Sequence, residues 1–357
     1  DKYHQGLCPC QLLQPSRAGG WAMASLCSIA ALGRLSPRWA PIAARHIGSS
    51  AGPWHVKLNY QVPPPPGKRT GRYIGQPDRG DTVDEHTPSE TVMHNGRLLQ
   101  PADTLETTGF TLQRWPSQCQ NFFDDREVED VYYHEMRGLI KATSGADRVF
   151  IFDHTVRNTQ NTNLNAEAGG SAAPVPRVHC DYTAEGAPRR LMQFADAQVW
   201  SYLRKRTLTR RDFEELSRGR FAFINVWRSI AVTPVERSPL AVCDTRSVPA
   251  SDHFLYELLF PDRTGENYSL KFNEAHKWYY YPHMVKDEVL VFKVYDKQQD
   301  GPRFVFHTAF EDPLTTPGSP ARQSIETRAI AFFTGDAADE LTSGHSHVPE
   351  DDFLQQD

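Results

Sequence analysis

The chain has 357 residues, with 39 Lys+Arg against 44 Asp+Glu, a formal net charge of -5, 39% hydrophobic and 23% charged residues. Such proportions are ordinary for a globular protein, and they argue against a general nucleic-acid binder, which needs a strongly basic face. No uncharged apolar run approaches the roughly 18 residues of a membrane span. The six cysteines, at 8, 10, 27, 119, 180 and 243, form no paired zinc pattern and no disulfide framework, so a reducing compartment fits best.

In chain order, the first region is charge-biased. From Lys2 to Pro77 there is no acidic residue, and Met23 opens a stretch with Arg34, Arg38 and Arg45 among Ala, Ser and Leu. Residues 1–50 read as a disordered leader or transit-like segment, which implies a cytoplasmic or mitochondrial protein. Pro63 to Pro66 is an extended connector. HVKLNY, RVFIFDHTV, FAFINVWRSI, LAVCDTRSV, NYSLKF, EVLVFKVYD, RFVFHTAF and SIETRAIAFF are rich in Val, Ile, Phe and Tyr and predict strands. Residues 124–142 carry Val128, Val131, Tyr132, Glu135 and Leu139 at helical spacing. Residues 188–218 predict a second, basic helical stretch, broken near Thr207–Thr209, as an insertion. The polar segment 157–176 reads as a loop. The last 24 residues, 334–357, hold seven acidic residues and no Lys or Arg, and predict a disordered tail. The expectation is one domain over 51–333, mainly β with flanking helices, built as a sandwich or barrel.

The chemistry concentrates in RVHCDYT. His179 is the one histidine followed two positions later by a carboxylate, Asp181. On a strand these two share a face. A third ligand must come from another strand, and His307 in RFVFHTAF is the best candidate. Two histidines and a carboxylate on one side of a metal leave three positions open, the arrangement of non-haem Fe(II) oxygenases, for a bidentate co-substrate and dioxygen. A 2-oxoglutarate enzyme also needs a cation for the distal carboxylate. Arg322, with Ser324 beside it, is favoured over Arg328, which stands 21 residues after His307.

Asn225 and Arg228 in INVWRSI are polar residues of a core strand. Either they hold co-substrate or substrate, or they form a structural hydrogen-bond network. Asp244 and Arg246 suggest a structural ion pair. Trp278, Tyr279 and Tyr280 line a substrate pocket or form an ordinary core cluster. Asp153-His154 reads as a buried, hydrogen-bonded histidine rather than a metal pair, and Cys180 and Cys243 as small core residues.

The blocks TSGADRVFIFDHTVR, RVHCDYT, FINVWRSI, PLAVCDTRSV, FPDRTGENYSLKFNEAHKWYYYPHM, DEVLVFKVYD, RFVFHTAFEDP and SPARQSIETRAIAFF closely resemble the fungal AsaB-type hydroxylase/desaturase family, in order, over about 54–333. The resemblance implies a double-stranded β-helix core (a jelly-roll, cupin-like). It implies Fe(II), 2-oxoglutarate and O2, and hydroxylation or desaturation of a small specialised metabolite. It puts His179, Asp181 and His307 at the iron and Arg322 at the co-substrate. Tyr182-Thr183 stands where a small or polar pair is expected. Neither nucleic acid nor membrane is an implied partner, and oligomeric state is left open. The competing readings are a non-oxidative metalloenzyme on the same triad and a catalytically inactive partner protein. A methyltransferase lacks support, because no Gly-rich loop follows a first strand.

Overall fold

A computed structural model describes residues 52–99, 104–159, 173–194 and 210–334. The transit-like leader, the acidic tail beyond Thr334 and the middle of the helical insertion lie outside the described residues. The strands are β1 (Trp54–Gln61), β2 (Arg69–Tyr73), β3 (Thr82–Val83), β4 (His86–Asn95), β5 (Phe110–Arg114), β6 (Arg148–Asn158), β7 (His179–Cys180) and β8 (Arg220–Ser229). They continue with β9 (Leu240–Cys243), β10 (His253–Leu259), β11 (Thr264–Leu270), β12 (Trp278–Tyr280), β13 (Glu288–Asp296), β14 (His307–Ala309) and β15 (Gln323–Phe333). The helices are α1 (Asp125–Glu127), α2 (Tyr133–Ser144), α3 (Gly186–Gln193) and α4 (Arg210–Leu216).

Two sheets form. The larger runs β1-β4-β12-β9-β14-β7-β11-β10-β2-β3, and the smaller runs β5-β13-β8-β15-β6. Most pairs are antiparallel, while β4–β12, β2–β10 and β2–β3 are parallel. The main core lies between the sheets. It joins Val56 and Leu58 of β1 to Phe221, Phe223 and Trp227 of β8 and Leu290, Phe292 and Val294 of β13. This is the jelly-roll architecture the sequence suggests.

Strand periodicity decides what faces this core. In β8, Phe221, Phe223 and Trp227 point inward, while Ala222, Ile224 and Val226 point outward onto α2. Helix α2 meets them with Met136, Leu139 and Ile140, a spacing of three and four residues, all fully buried. Burying side chains of this size contributes about 1.5–3 kcal/mol each. Asp124 starts the helical stretch by accepting the Arg126 N–H at 2.9 Å. Gly145 ends it in a left-handed conformation, φ 73°, donating to the Lys141 carbonyl. Because β8 and β15 are covered on both faces, polar residues at inward positions of these strands are held rigidly between the sheets.

Some elements differ from expectation. LAVCDTRSV is a strand only to Cys243. Asp244 then caps a short 3-10 turn, accepting the Arg246 N–H at 3.0 Å, and it ion-pairs with Arg246 at 2.6 Å. RFVFHTAF pairs as a strand only over His307–Ala309. Strand β4, unpredicted, is polar and buries only alternate residues at its end, Thr91, Met93 and Asn95.

Candidate metal centre and its two chambers

His179 of β7 and His307 of β14 are direct cross-strand partners in the larger sheet. Their rings lie 4.4 Å apart, centroid to centroid. Asp181 follows one residue past the end of β7. One ligand atom from each of His179, Asp181 and His307 falls within 4.8 Å of the others. Asp181 Oδ1 is 3.5 Å from His179 Nε2 and 3.8 Å from His307 Nε2.

The tautomers follow from the partners. His179 Nδ1 meets the Arg177 carbonyl at 2.9 Å, and His307 Nδ1 meets the Val305 carbonyl at 3.2 Å. A carbonyl only accepts, so both Nδ1 atoms carry the proton and both Nε2 lone pairs face Asp181. Burial, then the neighbouring His307, pushes His179 down to about 4, so this ring is neutral at neutral pH. Burial alone would raise the Asp181 carboxyl. The cation of Arg328 opposes this and favours the charged carboxylate. Two imidazole nitrogens and one carboxylate fit a divalent transition metal with open positions.

The outer oxygen of Asp181 is also held. Asn225 Nδ2, from the inward face of β8, donates to Oδ2 at 2.8 Å, and Arg328 Nε stands 4.0 Å from the same atom. This leaves Oδ1 alone to face the histidines. Asn225 thus positions a ligand.

A small cavity of about 150 Å3 opens beside the three ligands, with Arg157, Arg322, Glu326 and Arg328 in its wall. Arg322 is buried. Its Nε donates to Ser324 Oγ at 3.0 Å and its Nη1 to the Ser238 carbonyl at 2.6 Å, and its guanidinium lies over Trp227 at 5.1 Å. Burial, then the cation of Arg157, pushes Arg322 down to about 9. Arg328 differs, being paired with Asp153 at 2.8 Å and Glu326 at 3.2 Å.

The comparisons with known proteins converge on the same chemistry. A family model described as an oxidoreductase/YMDC permease-like domain matches residues 58–332. The hydroxylase/desaturase efuI of Hormonema carpetanum is 32% identical over 275 residues, 71% of this chain and 87% of that protein. The Fe(II)/2-oxoglutarate-dependent dioxygenase nvfI of Aspergillus novofumigatus is 30% identical over 284 residues, 77% of this chain and 91% of that protein. The solved structure of the iron and alpha-ketoglutarate-dependent endoperoxidase NvfI aligns with a TM-score of 0.66 at 26% identity, over 78% of this chain and 98% of that one. The chain belongs to the fungal hydroxylase/desaturase family of Fe(II)/2-oxoglutarate-dependent oxygenases. No helix among the described residues is long and apolar enough to cross a membrane.

Within this family framework the remaining candidates separate by strand parity. Arg228 does not join the centre. It points outward from β8, its guanidinium donating to the Trp115 carbonyl and lying 5.2 Å from the Tyr132 ring. An odd step from Asn225 along the strand puts it on the helix side, so its expected role with co-substrate is corrected to a packing one. Trp278 is buried, donating to the Tyr60 hydroxyl at 2.7 Å, and Trp278, Tyr279 and Tyr280 stand in neither chamber wall at the centre. His154 bonds Tyr133 at 2.9 Å and stands 3.4 Å from Asp125. Cys180 is fully buried and donates to the Val294 carbonyl, and burial raises its thiol far above the usual range.

Sequence reasoning missed Arg157. It reads as an ordinary cation at a strand end. Its place in the cavity comes from pairing across from Ser324 of β15, a tertiary fact.

Proposed function

We propose that this oxygenase hydroxylates or desaturates a C–H bond of a small specialised metabolite, with Fe(II) at His179, Asp181 and His307 and 2-oxoglutarate in the small cavity. The observation that carries the reading is the buried cation of Arg322 beside an ordered three-ligand cluster. Arg322 has hydroxyl and carbonyl partners, Ser324 and Ser238, but no carboxylate of its own at ion-pair distance among the described residues. A buried, uncompensated guanidinium favours an anion, and its planar fork matches a carboxylate. Arg328, already paired with Asp153 and Glu326, is the weaker anchor.

Ferrous ion with 2-oxoglutarate and dioxygen would supply the oxidising power: one oxygen atom would end in succinate as carbon dioxide leaves, and the other in the product hydroxyl or, on desaturation, in water with the two hydrogens removed. The protein's part is positional. The Arg177 and Val305 carbonyls hold both imidazoles in the ligating tautomer, and Asn225 and Arg328 hold the outer oxygen of Asp181. Arg322 and Ser324 take the distal carboxylate.

The test is succinate formation from 2-oxoglutarate by the Fe(II)-loaded full chain, with and without candidate metabolites. Turnover that needs His179, Asp181 and His307 is expected. Full turnover in Asp181→Ala would overturn the assignment.

A further inference from the structure

Asp181 and Arg328 line not one chamber but two. On the side away from Arg322 lies a larger space of about 440 Å3. That size suits a small-molecule ligand. Phe152, Tyr182, Leu258 and Phe260 supply its apolar wall.

The charged groups of this chamber pair off unevenly. Glu266 takes Arg189 and the Thr183 hydroxyl. Asp153 takes Arg328 at 2.8 Å, and Asp181 belongs to the metal centre. Arg263 is 46% exposed and sits 3.8 Å from Asp262. Arg190 is left over. It is half-buried, donates to Gln193 Oε1 at 3.0 Å and stacks over Phe194 at 4.4 Å, and no carboxylate of the described residues pairs with it.

Its placement is built in. Thr183, two residues after Asp181, accepts the Gly186 N–H on its Oγ1 at 2.8 Å and fixes the start of α3. Ala187 and Leu191, one turn apart, are buried and hold the helix against the core. Arg190 is thereby fixed in the chamber wall. Tyr182, packed on Phe223 at 4.4 Å, shares that wall. Its phenolic O–H is a hydrogen-bond donor.

We propose that this outer chamber recognises an acidic metabolite, a largely apolar molecule whose carboxylate pairs with Arg190 and accepts from the Tyr182 hydroxyl. Its hydrocarbon body then lies along Phe152, Leu258 and Phe260, beside the metal centre. The proposal rests on the oxygenase reading above.

The test is equilibrium dialysis of the full chain, loaded with Fe(II) and 2-oxoglutarate under nitrogen, against 4-phenylbutyrate and its methyl ester. The acid is expected to bind about tenfold more tightly than the ester, and Arg190→Gln to bring the two within about twofold, as loss of a charged hydrogen bond requires. Tyr182→Phe, which keeps the ring, should weaken only the acid, by a few-fold. The visible absorption of 2-oxoglutarate on ferrous ion, followed in the same samples, separates the two failures. If that absorption is present but acid and ester bind alike, or Arg190→Gln leaves their ratio unchanged, the acidic-substrate proposal is overturned. If the absorption is absent from the unmodified chain, the oxygenase reading has failed and this proposal falls with it.

Discussion

Among the described residues two buried histidine–aspartate clusters can be compared, and only one of them is built to hold a metal. In the first, His276 Nε2 meets Asp252 at 3.2 Å and Nδ1 meets the Tyr60 hydroxyl at 3.1 Å. Asn273 donates to Asp252 at 2.7 Å, and Trp278 donates to Tyr60 at 2.7 Å. Both ring nitrogens have protein partners. In the second, each Nδ1 is bound to a carbonyl two residues back on its own chain, and both Nε2 lone pairs are left facing Asp181. Burial and a nearby carboxylate are common to both. The lone pair left over distinguishes a ligand from a structural histidine.

The largest expected effect breaks the comparison outright. Alanine at His179, Asp181 or His307 should cut iron affinity by more than about a hundredfold, beyond what outer partners typically contribute, with no loss on His276→Gln. Metal content after dialysis checks this. The converse variant, His276→Ala, should lower stability by about 3 kcal/mol, because Asp252 and Tyr60 lose a buried partner. Iron binding should persist, and a denaturant midpoint measured beside metal content reads both. Arg322→Gln should weaken 2-oxoglutarate by about 10–100-fold and leave iron affinity unchanged, as calorimetry would show. Asn225→Ala should loosen Asp181 and weaken iron by about tenfold with the fold intact.

The smallest effect is a pH dependence at the structural cluster. Burial, only partly offset by Asp252, lowers His276 from 6.5. The unfolded chain therefore takes up a proton that the folded cluster refuses, and stability falls as pH drops below about 6.5 toward the folded value. Asp252, Lys271, Asn273, Tyr60 and Trp278 surround this site. His276→Gln should flatten that part of the acid limb in thermal melts, and an unchanged limb would contradict it.

The legible part of this protein is where burial is continuous. EVLVFKVYD is buried at every position and reads as a strand from sequence alone. His179 and Asp181 were legible because Val178 and Cys180 alternate with them in RVHCDYT, which puts both on one face of a strand; the His-x-Asp spacing alone arises by chance in a chain of this composition. Strand β4 was not, since its first half is polar and partly or fully exposed. Arg157 and Arg190 were not legible because their role depends on which groups around them are already paired, a tertiary property. Arg228 shows the limit of residue type as a guide. It stands three residues along the same strand from Asn225, and that odd step sends it to the helix face.

The most direct test of the central claim is an anaerobic titration of the full chain with Fe(II) and then 2-oxoglutarate, followed by visible absorption. The geometry predicts a band that saturates at one equivalent of each, disappears in His307→Ala and needs more 2-oxoglutarate in Arg322→Gln. A folded, iron-binding protein that shows no band would contradict the assignment of the small cavity to 2-oxoglutarate.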